Sequence, residues 1–193
     1  MQFPRLSFAY FLSRKCPVLT DADIDDLLAL GLLRYATLPM SNDELRAEAE
    51  GYGLLEPDLF GRSYLLDAEL LAESGADIAF EGLAAVLEAN GVAVGKVRLD
   101  YVEDRDETYL IVDGRPHLLC GQVFGGDNSW RTWSVGFFSI VNELLAQAGS
   151  SERLYGFHLF KNDQTGVFLT PQLHEKLVSL GIGTSLESLE NAA

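Results

Sequence analysis

The apolar positions of this chain change rhythm as it proceeds. Residues 3–12 form a nearly continuous aromatic and aliphatic run that suits a buried strand or a short helix equally, because periodicity alone does not separate the two. From Thr20 the spacing becomes helical. Ile24, Leu27, Leu28 and Leu32 form a stripe, Thr20 stands at the N-cap, and Asp21 and Asp23 fill the first turn, where carboxylates suit the helix dipole. Ser41 and Glu44 have the spacing of a capping box. The helix they open runs to about Glu50 and ends at Gly51, and its thin apolar face of Leu45, Ala47 and Ala49 predicts a surface position. Glycines and a proline (Gly51, Gly53, Pro57, Gly61, Gly75) then break the pattern, with a short helix predicted over residues 64–71.

Helical spacing returns with Phe80, Leu83, Ala84 and Leu87 and closes at Asn90 and Gly91. Strand alternation follows: Val97, Leu99 and Tyr101 against Arg98 and Asp100, then residues 109–112, with a charged turn at 103–107 between them. Asp113 and Gly114 predict a tight turn into a third strand over 116–120. Trp130, Trp133, Phe137, Ile140, Val141, Leu144 and Leu145 mark the longest helix, with Gly149 past its end. Residues 154–160 and 166–169 read as two strands around a turn at Asn162 and Asp163. Thr170 and Pro171 open a last helix that stops near Gly181. This order predicts an α+β fold in which one mainly antiparallel sheet of about five strands packs with helices. The predicted organisation is one domain over 1–193: a mostly helical part over 1–75, an α+β core over 76–182 and a frayed tail over 183–193.

Charge sharpens this picture. Between Leu19 and Asp113 there are 22 Asp and Glu against 6 Lys and Arg, a net of −16, while the rest of the chain nets +1. Such a field repels itself in the folded state, so it calls for a reason, either solubility or a basic partner. It also disfavours nucleic acid and anionic membrane surfaces, whose phosphates would be repelled. At 48% hydrophobic residues the chain is too apolar for a disordered acidic tail. No stretch approaches ~20 uninterrupted apolar residues, so no membrane span is expected. Arg5, Arg14 and Lys15 sit around the first apolar run without a small-residue cleavage site, which reads poorly as a signal peptide and points to the cytoplasm.

No catalytic signature stands out. His117, His158 and His174 are far apart and predict no metal site. Asp21, Asp23, Asp25 and Asp26 fail the calcium-loop template, which wants Gly where Asp26 stands and Glu where Leu32 stands. No glycine-rich phosphate loop occurs, and no cofactor is expected. Cys16 and Cys120 form no disulfide framework. Cys120 has only His117 nearby, and in a regular strand residues three apart point to opposite faces, so the two side chains are expected to diverge.

One cluster remains. Asp100, Glu103, Asp104, Asp106, Glu107 and Asp113 lie on or beside one predicted hairpin, offset locally by Arg98 and Arg105. They are the leading candidates for contact with a basic protein; Asp21, Asp23, Asp25, Asp26 and Trp130 are secondary candidates. A second reading is a ligand or enzyme pocket lined by Trp130, Trp133, Tyr155 and His158.

The segment from Trp130 onward resembles the immunity proteins that accompany bacterial secreted toxins. The likeness is carried by Trp130, Trp133, Asn142, Glu143, Leu144, Leu145, Glu152, Arg153, Leu154, Tyr155, Asn162, Asp163 and the run Val167, Phe168, Leu169, Thr170, Pro171. It covers about a quarter of the chain and consists of turns, caps and core positions. It implies a cytoplasmic, non-enzymatic protein that binds one cognate toxin and covers its cationic active-site region. Fold likeness does not by itself transfer a partner.

Overall fold

A computed structural model describes residues 19–36, 39–51, 60–121, 130–157 and 163–182. Its elements are α1 (Asp21–Ala29), α2 (Asn42–Gly51), β1 (Ser63–Asp67), the short α3 (Ala68–Leu70) running through a π-helical turn (Leu71–Gly75) into α4 (Ala76–Gly82), α5 (Ala84–Ala89), β2 (Val97–Val102), β3 (Glu107–Val112), β4 (Arg115–Cys120), α6 (Trp130–Gln147), β5 (Arg153–Phe157), β6 (Asp163–Leu169) and α7 (Pro171–Ser179). The fold is α+β, as the pattern of elements predicts.

The expected single sheet is instead two, each three-stranded and antiparallel: β1-β6-β5 and β2-β3-β4. The sixth strand is β1, which the local pattern reads as part of a helix over 64–71. Ser63 pairs with Val167 and Asp67 with Asp163, so the extended form of this segment is set by a partner far along the chain. Helix begins only after Asp67, whose side chain caps α3 by accepting from the Leu70 amide at 3.0 Å.

The β1-β6-β5 sheet is covered on both faces. Leu66, Leu154 and Phe168 point into a large core with Phe80, Leu83, Leu87, Leu110, Leu119, Phe137 and Val141. Tyr155, Val167 and Leu169 point the other way, into a second core with Ile24, Leu27, Leu32, Leu45, Phe60, Leu173 and Leu177. Leu45 is therefore fully buried, although the thin apolar face of α2 predicts a surface helix.

Helix α6 ties the two sheets together. At Gly136 a Cβ would overlap the Leu119 carbonyl, so glycine lets the helix backbone lie directly on β4. On its other side, the Asn142 amide donates to the Leu154 carbonyl at 3.0 Å and accepts from the Leu154 amide at 2.7 Å. One side chain thus satisfies both groups on the free edge of β5.

The caps follow the sequence. Thr20 and Asp23 form a reciprocal capping box on α1, as Ser41 and Glu44 do ahead of α2. Thr170 caps α7 through the Leu173 amide, with Pro171 in the first turn. Among the described residues, no helix is long and apolar enough to cross a membrane.

Candidate functional site

The β2–β3 hairpin gathers most of the candidate carboxylates at its turn end. Glu103, Asp104 and Arg105 form a 3-10 turn, and Asp106 follows in the left-handed region at φ 51°. Asp106 accepts a hydrogen bond from the Tyr101 hydroxyl at 3.1 Å, and Glu107 accepts from the Tyr109 hydroxyl at 2.8 Å. A carboxylate on a phenol stabilises the protonated phenol, so each bond pushes its tyrosine pKa up, with desolvation acting in the same direction.

Local cations reach only part of this charge. Arg105 Nε sits 3.2 Å from Glu107, and Arg98 sits 3.7 Å from Asp100. Among the described residues, Glu103, Asp104 and Asp106 make no ion pair, and all three are exposed. The ring of Tyr101 is exposed beside them. Asp113 stands apart from this group. It forms the β3–β4 turn with Gly114, both with positive φ, at the opposite end of β3. Six strand residues separate the two ends, about 20 Å at the usual rise.

The secondary acidic candidates have a different setting. Asp23 is held by the Thr20 hydroxyl at 2.6 Å and by Lys176 of α7 at 3.1 Å, and Lys176 also reaches Asp26 at 2.8 Å. The Thr20 hydrogen bond, followed by that from Lys176, holds the Asp23 carboxyl down at about 2; the same two aspartates raise the Lys176 ammonium. Asp21 pairs with Arg46 of α2. Of the four, Asp25 alone makes no ion pair among the described residues.

Sequence reasoning missed a third charged group, and no local signal announces it. Arg62 and Glu152 are both fully buried, with Nη1 3.2 and 3.1 Å from the two carboxylate oxygens. Arg62 also donates to the carbonyls of Gly31, Leu32 and Phe168, and its guanidinium lies over the Tyr35 ring at 4.8 Å. Burial is the main force raising the Tyr35 phenol, whose oxygen accepts from Asn90 at 2.7 Å. Ser150 closes the network, donating to Asn90 at 2.9 Å and accepting from the Glu152 amide at 3.0 Å. These groups join five segments of the chain, which suits a structural centre.

The pocket reading loses its geometry. Trp133 belongs to the large core and Tyr155 to the second, across the β1-β6-β5 sheet, where Tyr155 stacks on His174 with ring centroids 4.2 Å apart. Trp130 is 42% exposed at the start of α6. His158 lies outside the described residues, as does Cys16.

The strand bearing His117 and Cys120 also departs from expectation. A register shift between Thr108 and Tyr109 places Leu110 opposite His117 but Thr108 opposite Cys120. Thr108 and Leu110 share a face of β3, so His117 and Cys120 share a face of β4 instead of diverging. Among the described residues, no group of three His, Cys, Asp or Glu is placed to hold a metal ion.

No protein-family model, curated protein or solved structure matches this chain.

Proposed function

We propose that this chain is a non-enzymatic binding protein that docks a basic protein through the turn end of the β2–β3 hairpin. The partner that fits best is a toxin whose cationic active-site region the hairpin covers, in the cytoplasm of the cell that must survive it. The observation that carries this reading is uncompensated charge: Glu103, Asp104 and Asp106 face water without an ion pair among the described residues, beside an exposed Tyr101. Water and salt screen such charges until a partner's Lys and Arg displace them, which speeds encounter and selects the partner more than it adds affinity. Support also comes from the likeness of the segment after Trp130 to toxin-immunity proteins.

The test is co-expression with the product of the open reading frame adjacent to this chain's gene, together with a pull-down at two salt concentrations. Host survival and a complex that weakens as salt rises are expected. Replacing Glu103 and Asp104 with Lys is expected to slow capture on the order of tenfold at low salt. Equal capture by the reversed hairpin, or no complex and no protection, overturns the reading.

A further inference from the structure

The two sheets have four edge strands, β1, β5, β2 and β4. Asn142 occupies backbone groups of β5, and α6 lies on the Leu119 carbonyl of β4. β1 carries a single charge, Asp67. β2 differs from all three. Its run Lys96, Val97, Arg98, Leu99, Asp100, Tyr101, Val102 is basic in its first half and acidic in its second, and Glu103 and Asp104 extend the acidic end. Among the described residues, the backbone of 97–102 hydrogen-bonds to β3 alone, so its outer row of amides and carbonyls is open. Arg98, Asp100 and Tyr101 beside that edge are all more than half exposed.

We propose that this edge is a dimer interface. β2 pairs antiparallel with β2 of a second copy of the chain, joining two β2-β3-β4 sheets into one of six strands. The two-fold axis passes between the two Leu99 residues, perpendicular to the sheet, so each face continues across the join. Arg98 then stands opposite the second copy's Asp100, twice per dimer, on the face away from Leu110 and the core. Directly opposite Cβ atoms are about 5 Å apart, within reach of an ion pair. Val97 falls opposite the exposed Tyr101 ring, a β-branched and aromatic pair of the kind that stabilises neighbouring strands.

Charge fixes the register. A slide by one residue moves one copy's core-facing side chains to the outer face. A slide by two puts Asp100 opposite Asp100 or, in the other direction, Arg98 opposite Arg98, and like charges so placed are destabilising. Within one copy the Arg98 and Asp100 side chains already meet at 3.7 Å, and the dimer exchanges that contact for two across the edge. The net charge of −15 on each copy opposes association, but at physiological salt exposed charges are screened beyond about 8 Å, a range that spares the facing pairs. The pairing ends at Val102. Glu103, Asp104 and Asp106 lie beyond it, and the dimer does not rest on the function proposed for them.

The experiment is sedimentation velocity of the full chain in about 0.15 M salt, from about 1 to about 200 µM, with a reductant present so that no disulfide contributes. A concentration-dependent dimer is expected. Arg98→Asp and Asp100→Arg each set like charges opposite one another, and each is expected to weaken the dimer on the order of tenfold. Both side chains are exposed, so the variants keep the fold, which circular dichroism checks. An equimolar mixture of the two single variants is expected to dimerise again, because each Asp then meets an Arg, and the double variant is expected to do the same. In hydrogen exchange, amides within 97–102 are expected to slow as the concentration rises. The proposal is overturned by a parent that stays monomeric, by a dimer that both single variants leave unchanged, by a mixture that recovers nothing, or by protection that rises elsewhere and not in β2.

Discussion

The acids that open α1 and the acids at the end of the β2–β3 hairpin carry similar charge in opposite surroundings. Around α1, Asp21, Asp23 and Asp26 each meet a cation from another helix, Arg46 or Lys176. At the hairpin end, Glu103, Asp104 and Asp106 meet none among the described residues. The first set holds helices together and the second faces outward. Net charge along the sequence cannot tell the two apart, because the difference lies in what folding brings alongside. Glu152 is the extreme of the first kind, fully buried against Arg62.

The largest expected effect comes from removing a cation from an inward-facing acid. Arg62→Ala leaves Glu152 buried with Arg34, 3.5 Å away and half-exposed, as its one remaining ion-pair partner among the described residues. Losing one partner of a buried pair costs about 3–5 kcal/mol, read as a shift of the urea midpoint. Replacing both members with apolar residues of similar volume is expected to cost much less, because no unpaired charge remains.

A middle-sized effect belongs to α1. Thr20→Ala removes the cap and costs about 1 kcal/mol. The pH dependence has a fixed sign. The folded Asp23 carboxyl is depressed to about 2, so its contribution is complete above the ordinary carboxylate range and is lost as the pH falls from about 4 toward 2. Lys176 is raised, so its contribution holds below the ordinary ammonium range and fades only as the pH climbs through the folded value. Acid unfolding of the Thr20→Ala variant is expected to show a shallower loss over that acid window, because Thr20 is the main cause of the shift. An identical acid profile in parent and variant would remove Thr20 from the explanation.

The smallest effect on stability is expected where the effect on binding is largest. Replacing Glu103 and Asp104 with Lys is expected to leave the unfolding free energy within about 0.5 kcal/mol, since neither side chain is paired. A large loss of stability there would mean that the hairpin acids also serve the fold, and the contrast with α1 would fail.

Local signals made much of this molecule legible. The Thr20 and Ser41 caps, the two-residue turn at Asp113 and Gly114, the long helix from Trp130 and the Pro171 start of α7 all follow from neighbours a few residues apart. What local reading lost depends on distant partners. The Tyr64, Leu65, Leu66 run is a strand because β6 pairs with it, and Arg62 finds its counterion at Glu152. The hairpin acids were visible as composition, but their division into one group at the tip and Asp113 at the far end needed the strand register. That His117 and Cys120 share a face of β4 hangs on one extra residue in that strand, which alternation cannot reveal because it is a break in alternation.

The order of strands in β1-β6-β5 bears on how the chain is made. The central strand, β6, comes last of the three in sequence, so β1 and β5 leave the ribosome with nothing in this sheet to pair with. At ~5–20 residues per second, β1 waits on the order of ten seconds for its partner, and both cores wait with it. During that interval the chain already made includes the strongly acidic part, and mutual repulsion between copies on neighbouring ribosomes keeps its unpaired edges apart. The same charge that burdens the finished fold thus protects the unfinished one.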